Sequence, residues 1–304
     1  MTFNLDTVSS QKGRIAIATG ANTGIGYETA LGLAQTGMKV IMACRNLDKA
    51  EQAKKSILAK VPDADLDIIE LDLSKLSSVR MFADTYRQQF SHLDLLINNA
   101  GIMIPPYTKT EDGFESQMGV NHLGHFLLTA LLLDLMPDTP EVRVVSLSSN
   151  AHKLGKINFD DLQSERNYSR FGAYAQSKLA CLMFANELSR KLVTADRKTL
   201  SVCAHPGGSD TELSRHMSAG TVTLLKLSGL GLITHSPADA ALPTLCAALA
   251  TDVSGGDYFG PQGFLEMSGK PGKVAQSNSA QDQDVTQQLW ETSKDLTGVT
   301  DFCV

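Results

Sequence analysis

Basic runs, long apolar runs and paired cysteines are what this 304-residue chain lacks. No run of five or more basic residues occurs and the formal net charge is −6, which excludes a basic surface built for nucleic acid. No stretch reaches the ~18 apolar residues of a membrane span; the nearest, Leu127–Leu135, is short and carries Asp134. Residues 1–13 are polar, without a basic start leading into an apolar core, so no secretory signal is read there. The five cysteines (44, 181, 203, 246, 303) are widely spaced and form no C-x-x-C, which points to reduced thiols and a cytoplasmic compartment. Charged residues make up only 20% and hydrophobic ones 42%, the balance of a packed globule rather than a disordered chain.

What is present is organised around Arg14–Gly37, RIAIATGANTGIGYETALGLAQTG. A β-branched apolar run to Thr19 leads into a glycine-punctuated turn and then a helical pattern that places Ile25, Thr29, Leu33 and Ala34 on one face. Gly37 stands where such a helix would end in a left-handed residue. The free N–H groups and positive dipole end of a helix opening on such a turn suit a pyrophosphate. The spacing is G-x-x-x-G-x-G (Gly20, Gly24, Gly26). Gly20 permits the sharp exit from the strand, Gly24 lets backbone approach phosphate, and Gly26 lets the helix close on the sheet.

Downstream, apolar runs alternate with amphipathic stretches. Strands are expected at Lys39–Cys44, Leu66–Leu71, Leu93–Ile97, Val142–Leu147, Leu200–Ala204 and near Phe264–Met267. Helices are expected at Leu47–Lys60, Lys75–Phe90, Glu111–Met136, Gly172–Val193 and Pro237–Ala250, with a last one carrying Val285, Leu289 and Leu296 on one stripe. Strands apolar on both faces, joined by helices, predict an α/β fold: a single doubly wound parallel sheet of about seven strands, helices on both faces and ligands at the carboxyl ends of the strands. The organisation read is a tail at 1–13, one Rossmann-type domain at 14–268 and a polar linker plus helix at 269–304. Trp290, the single tryptophan, reads as a packing anchor.

A second constellation is Tyr174-Ala-Gln-Ser-Lys178. On a helix, i and i+4 share a face, so phenol and ammonium lie close together. A phenol of pKa ~10 exchanges protons poorly near neutrality, and a neighbouring cation favours the phenolate. Of six tyrosines, only Tyr174 has a lysine four residues later. Gly119 and Gly124 flank Asn121 inside a helical pattern, at a cost of roughly 2 kcal/mol relative to alanines. Either a bend around a polar residue or close helix packing must offset that cost, and the bend is the favoured reading. His122 and His125, at i and i+3, have no third ligand at a plausible spacing, so no metal is expected.

Taken in order, TGANTGIG (19–26), ACRN (43–46), LDLS (71–74), NNAG (98–101), NHLGHF (121–126), SLSSNAH (146–152), YAQSK (174–178) and HPG (205–207) resemble a short-chain dehydrogenase/reductase over about Arg14–Glu266. ACRN, NHLGHF and INFDDL (157–162) resemble its retinol-dehydrogenase-like branch. The resemblance implies that Tyr174 is the general acid. Lys178 would lower its pKa and hold the nicotinamide ribose, Ser149 would hydrogen-bond the substrate oxygen, and Asn121 would anchor a proton-relay water. The alignment of strand end to serine selects Ser149 over Ser148. Gly20, Asn22, Thr23, Gly24, Ile25 and Gly26 would cradle the cofactor, Asp72 would bond the adenine beside Leu73, and Asn99, Ala100 and Gly101 would line the cleft. Pro206, Gly207 and Thr211 would cover the nicotinamide carboxamide; Ser209 stands where the family usually has an apolar residue.

The family's NAD-preferring members carry an acid at the end of the second strand, where this chain has Cys44 followed by Arg45. A guanidinium fits a 2′-phosphate, so NADP(H) is the expected cofactor. Residues 221–233, TVTLLKLSGLGLI, fall within a substrate lid expected near 207–235. They are read as closing over an apolar substrate, with peripheral membrane contact as the competing reading. The 25-residue step from Ser149 to Tyr174 adds a loop beside the helices that often form the family's dimer interface. A monomer and a homodimer both remain open. The function expected is therefore an NADPH-dependent interconversion of a small-molecule carbonyl and an alcohol. A non-catalytic NADP(H)-sensing protein on the same fold is the alternative, and it has no need of all four of Asn121, Ser149, Tyr174 and Lys178. A sugar-nucleotide epimerase would predict a different glycine spacing.

Overall fold

A computed structural model describes residues 3–208 and 236–302. Ser209, Thr211 and the apolar run 221–233 lie outside the described residues, as does the expected lid from 209 onward. Five consecutive buried residues, IAIAT, make β1 (Ile15–Thr19). Around it stand β2 (Lys39–Cys44), β3 (Leu66–Glu70), β4 (Leu95–Asn98), β5 (Arg143–Leu147), β6 (Leu200–Ala204), β7 (Tyr258–Pro261) and β8 (Pro271–Lys273). They form one sheet in the order β3-β2-β1-β4-β5-β6-β7-β8, parallel except for the antiparallel β7–β8 pair. The strand order reverses between β1 and β4. The carboxyl ends of those strands part there into the crevice where such sheets take ligands.

Two helical layers cover the sheet. One core cluster joins it to α1 (Gly24–Gln35), α2 (Leu47–Lys60) and α6 (Pro237–Leu249). The other joins it to α3 (Leu76–Gln89), α4 (Gly124–Leu132) and α5 (Arg170–Thr194). A last helix, α7 (Gln283–Thr297), packs against α4 and α5 through Trp290, whose ring centroid lies 5.1 Å from Phe126, 5.8 Å from Phe184 and 4.4 Å from Phe302. Trp290 is thus the packing anchor expected. Segment Met118–Leu135 is long and apolar enough to cross a membrane by composition, but 78% of it is buried inside this core.

Three expectations are corrected. Among the described residues, eight strands stand where about seven are expected, the β7–β8 hairpin being the addition. The strand expected near Phe264–Met267 is instead a turn with a short 3-10 segment (Phe264–Glu266), and the pairing strand is Tyr258–Pro261. Gly260 and Pro261 give that strand the look of a turn. Finally, the helix expected over 111–136 breaks into a π-helical turn (Met118–Leu123), α4 and a 3-10 turn (Leu133–Leu135). It starts late because Glu115 is buried and its carboxylate accepts the N–H groups of Gln117 and Met118, at 2.9 and 2.8 Å.

Candidate active site

The turn after β1 is built as the glycine spacing requires. Gly20 has φ +67, and a Cβ on Gly26 would stand 2.3 Å from the Gly20 carbonyl oxygen and 2.5 Å from Asn99 Nδ2. The Thr19 hydroxyl oxygen accepts the N–H groups of Asn99 and Ala100, both at 2.9 Å, while Asn99 Nδ2 donates to Thr19 O at 2.7 Å. The NNAG and TGANTGIG motifs are therefore one locked unit. Thr23 caps α1 with no side-chain hydrogen bond to its first N–H groups, so the positive helix end faces the crevice ready for an anion.

Buried His125 extends this unit toward Asn121. Its Nδ1 lies 3.0 Å from Asn121 O and must donate, because a carbonyl only accepts; its Nε2, 2.9 Å from Thr19 Oγ1, then accepts the hydroxyl proton. Burial lowers the imidazole pKa to about 4, so the ring is neutral at physiological pH. Asn121 sits in the π-helical turn, with Oδ1 accepting Ile102 N–H at 2.8 Å and Nδ2 donating to Ile102 O and Ser177 Oγ. The flanking glycines sit in and beside this π-helical turn, and a Cβ on Gly124 would stand 2.7 Å from Leu73 O, in the loop after β3. His122 points elsewhere, its Nε2 2.8 Å from Ser293 Oγ, so the two histidines have separate partners.

At the other end of the crevice, α5 carries Tyr174 and Lys178 on one buried face. Lys178 Nζ lies 5.9 Å from the Tyr174 ring centroid and donates to Leu147 O at 3.1 Å. Ser148 Oγ donates to the Lys178 carbonyl at 2.7 Å, which pins the helix to the end of β5. Ser149 caps the following 3-10 turn (Asn150–Leu154) with its Oγ accepting Ala151 N–H at 3.3 Å. His152 holds the same turn: Ser277 N–H donates to its Nε2, so its Nδ1 donates to Ser149 O at 2.7 Å. A Cβ on Gly101 would stand 3.1 Å from Asn121 Oδ1 and 3.3 Å from Lys178 Nζ, so these three residues converge.

A cleft of about 1240 Å³ joins the two ends. Gly20, Asn22, Thr23, Gly24, Ile25, Gly26, Arg45, Asp72, Leu73, Asn99, Ala100, Gly101, Tyr174, Lys178 and Pro206 all line it. Asn121, Ser149 and Gly207 stand behind or beside its wall, and Thr211 lies outside the described residues. Missed from sequence was Lys49, one helical turn beyond Arg45 and also lining the cleft. Among the described lining residues, Arg45, Lys49, Lys109 and Lys178 face a single carboxylate, Asp72. In a chain of net charge −6, that concentration of cations marks a site for a polyanion. An elongated, glycine-floored, cationic cleft with an uncapped helix end fits a dinucleotide.

The family profile of the short chain dehydrogenases matches residues 14–221. The chain belongs to the short-chain dehydrogenase family. Within it, the chain is similar to mouse retinol dehydrogenase 11, 40% identical over 291 residues that cover 94% of this chain and 87% of that protein. Human retinol dehydrogenase 13 is 42% identical over 294 residues, covering 94% and 85%. Among solved structures, an uncharacterised protein of Mycobacterium paratuberculosis matches with a TM-score of 0.82 at 40% identity, covering all of both chains. The Pseudomonas aeruginosa RhlG/NADP active-site complex matches with a TM-score of 0.65 at 25% identity, covering 82% and 94%. This short-chain dehydrogenase is thus an oxidoreductase of the retinol-dehydrogenase-like branch, a family of hydride-transfer enzymes.

Proposed function

We propose that the chain is an NADP(H)-dependent oxidoreductase that interconverts an apolar aldehyde or ketone and its alcohol, with Tyr174 as general acid/base. The observation that carries this reading is the continuity of one cleft from Arg45 and Lys49 to Tyr174 and Lys178. Arg45 and Lys49 would hold the 2′-phosphate by charge-assisted hydrogen bonds. The α1 N-terminus and the Gly20–Gly26 turn would hold the pyrophosphate, and Asp72, whose Oδ1 is already steadied by Ser74 at 3.0 Å, would meet the adenine. Pro206 and Gly207, with Thr211, would border the nicotinamide. When bound, the nicotinamide supplies or accepts the hydride.

The chain's own residues handle the proton. In reduction, the Tyr174 O–H donates to the carbonyl oxygen as negative charge develops there; in oxidation, the phenolate takes the alcohol proton. The Lys178 ammonium favours the phenolate electrostatically. Ser149, held by Ala151 N–H and His152, would donate to the substrate oxygen. Asn121, with its amide fixed on Ile102, would hold a relay water. Preference for apolar substrates is supported by the composition of 221–233 and by Leu154, Phe264 and Leu265, exposed on the segments that flank Ser149. An NADPH-oxidation screen over aldehydes, ketones, quinones, retinoids and steroids tests the reading. kcat/KM should rise with chain length or ring count, at roughly 0.8 kcal/mol per buried methylene. A flat series would remove the apolar-site claim.

A further inference from the structure

Glu266 belongs to no motif and lines no part of the cleft, yet the two walls of the reaction end meet on it. Its carboxylate Oε2 lies 2.8 Å from Lys153 Nζ, in the 3-10 turn that Ser149 caps, and 3.1 Å from Nε2 of fully buried His205, at the end of β6. Gly207 N–H donates to His205 Nδ1 at 3.2 Å, so the ring proton sits on Nε2, the nitrogen 3.1 Å from the carboxylate. The backbone around Glu266 makes the same two connections. Asn150 Nδ2 donates to the carbonyls of Leu265 and Glu266, each at 3.2 Å, and Gly208 N–H donates to Met267 O at 2.9 Å. Leu265 and Glu266 adopt φ +51 and +55, a left-handed conformation that residues with side chains enter at a cost. A turn shaped only to close the β7–β8 hairpin would place glycine there.

We propose that Glu266 is a positioning residue: it clamps the serine turn (149–154) to the loop at 205–208, fixing the spacing between the hydroxyl that meets the substrate and the wall that meets the nicotinamide. The proposal rests on the functional reading above for what the spacing is for, but not for the clamp itself. His205 and Lys153 hold the Glu266 carboxyl down to about 2, so the clamp is ionised throughout the neutral range. The competing account is an ordinary surface ion pair, which would fix nothing.

Lys153 touches Glu266 and has no hydrogen bond or ion pair with residues 205–208, so its contact with that loop runs through the carboxylate. The experiment is amide hydrogen exchange on the full chain without cofactor, comparing wild type, Glu266→Gln and Lys153→Met. Lys273→Met, which removes a surface partner of Asp257 on the same hairpin, is the control. Exchange at Gly207 and Gly208 should rise at least threefold in both Glu266→Gln and Lys153→Met, and stay at the wild-type rate in Lys273→Met. Turnover should fall about five- to tenfold in the first two, with the Kd for NADPH within twofold. Unchanged exchange at Gly207 and Gly208 in Lys153→Met would overturn the clamp, whether or not Glu266→Gln folds. A wild type inactive on every carbonyl compound would sink the functional reading and leave the exchange result to stand alone.

Discussion

Ser148 Oγ donates its proton to the backbone carbonyl of Lys178, 2.7 Å away, and so the first of two adjacent serines is committed to holding α5 on β5. Ser148 also lines the cleft, while Ser149 is half-buried beside it with its oxygen steadied by Ala151 N–H. On the proposed function Ser149 is the hydroxyl that meets the substrate. The two alanine variants should therefore separate. Ser149→Ala should lower kcat about 100-fold, the scale of losing one oxyanion donor, with stability reduced by no more than the roughly 1 kcal/mol of a lost cap. Ser148→Ala should cost about 1 kcal/mol of stability and only a few-fold in kcat. Steady-state kinetics and thermal melts on both variants check this, and an inverted pattern would assign the substrate contact to Ser148.

The basic end of the cleft carries the cofactor prediction. NADPH should bind more tightly than NADH, and Arg45→Asp should reverse or flatten the preference, at about 1.5–3 kcal/mol for a lost charge-assisted contact. Lys49→Ala should give a smaller loss, confined to NADPH. Titration of both cofactors against the three proteins measures it; equal wild-type affinities would remove the assignment of Arg45 and Lys49 to a 2′-phosphate.

Legibility of the chain followed the range of the forces involved. β1, β2, α2 and β6 were read from local periodicity because their side chains face the core on the schedule that strands and helices impose. Tyr258–Pro261 was not, since its place is set by His205, whose ring occupies the space a Cβ on Gly260 would need. In the site, the glycine turn and the Tyr174–Lys178 pair are contiguous and carried their chemistry in their spacing. Ser149 was selected by resemblance alone, because nothing in two adjacent serines says which one bonds a carbonyl 30 residues away. His125 and Glu266 were missed as connecting groups. Their partners, Thr19 for the one and Lys153 and His205 for the other, are brought together only by the fold.

The buried histidines predict an acid-sensitive fold. Burial lowers His122 to about 3 and His125 to about 4, from an ordinary value of 6.5. Below that ordinary value the unfolded chain binds protons that the folded chain refuses. Stability should thus be full above pH ~6.5 and decline as the pH falls toward the folded-state values, with Glu266 adding to the loss below its own unfolded value of ~4.3. Melting temperatures measured across that range should fall less steeply for His122→Gln than for wild type. Identical slopes would mean that His122 does not titrate on unfolding.

The central claim is that Tyr174 moves the proton while other groups hold the cofactor, and Tyr174→Phe tests it most directly. NADPH affinity and carbonyl-dependent NADPH oxidation are to be measured on the same preparation, beside Lys178→Ala. The account predicts that Tyr174→Phe loses turnover by ~10²–10⁴-fold, the range of general acid catalysis, while binding NADPH within a few-fold of wild type. Lys178→Ala should lose both turnover and affinity. A Tyr174→Phe enzyme that retained most of its turnover would contradict the account.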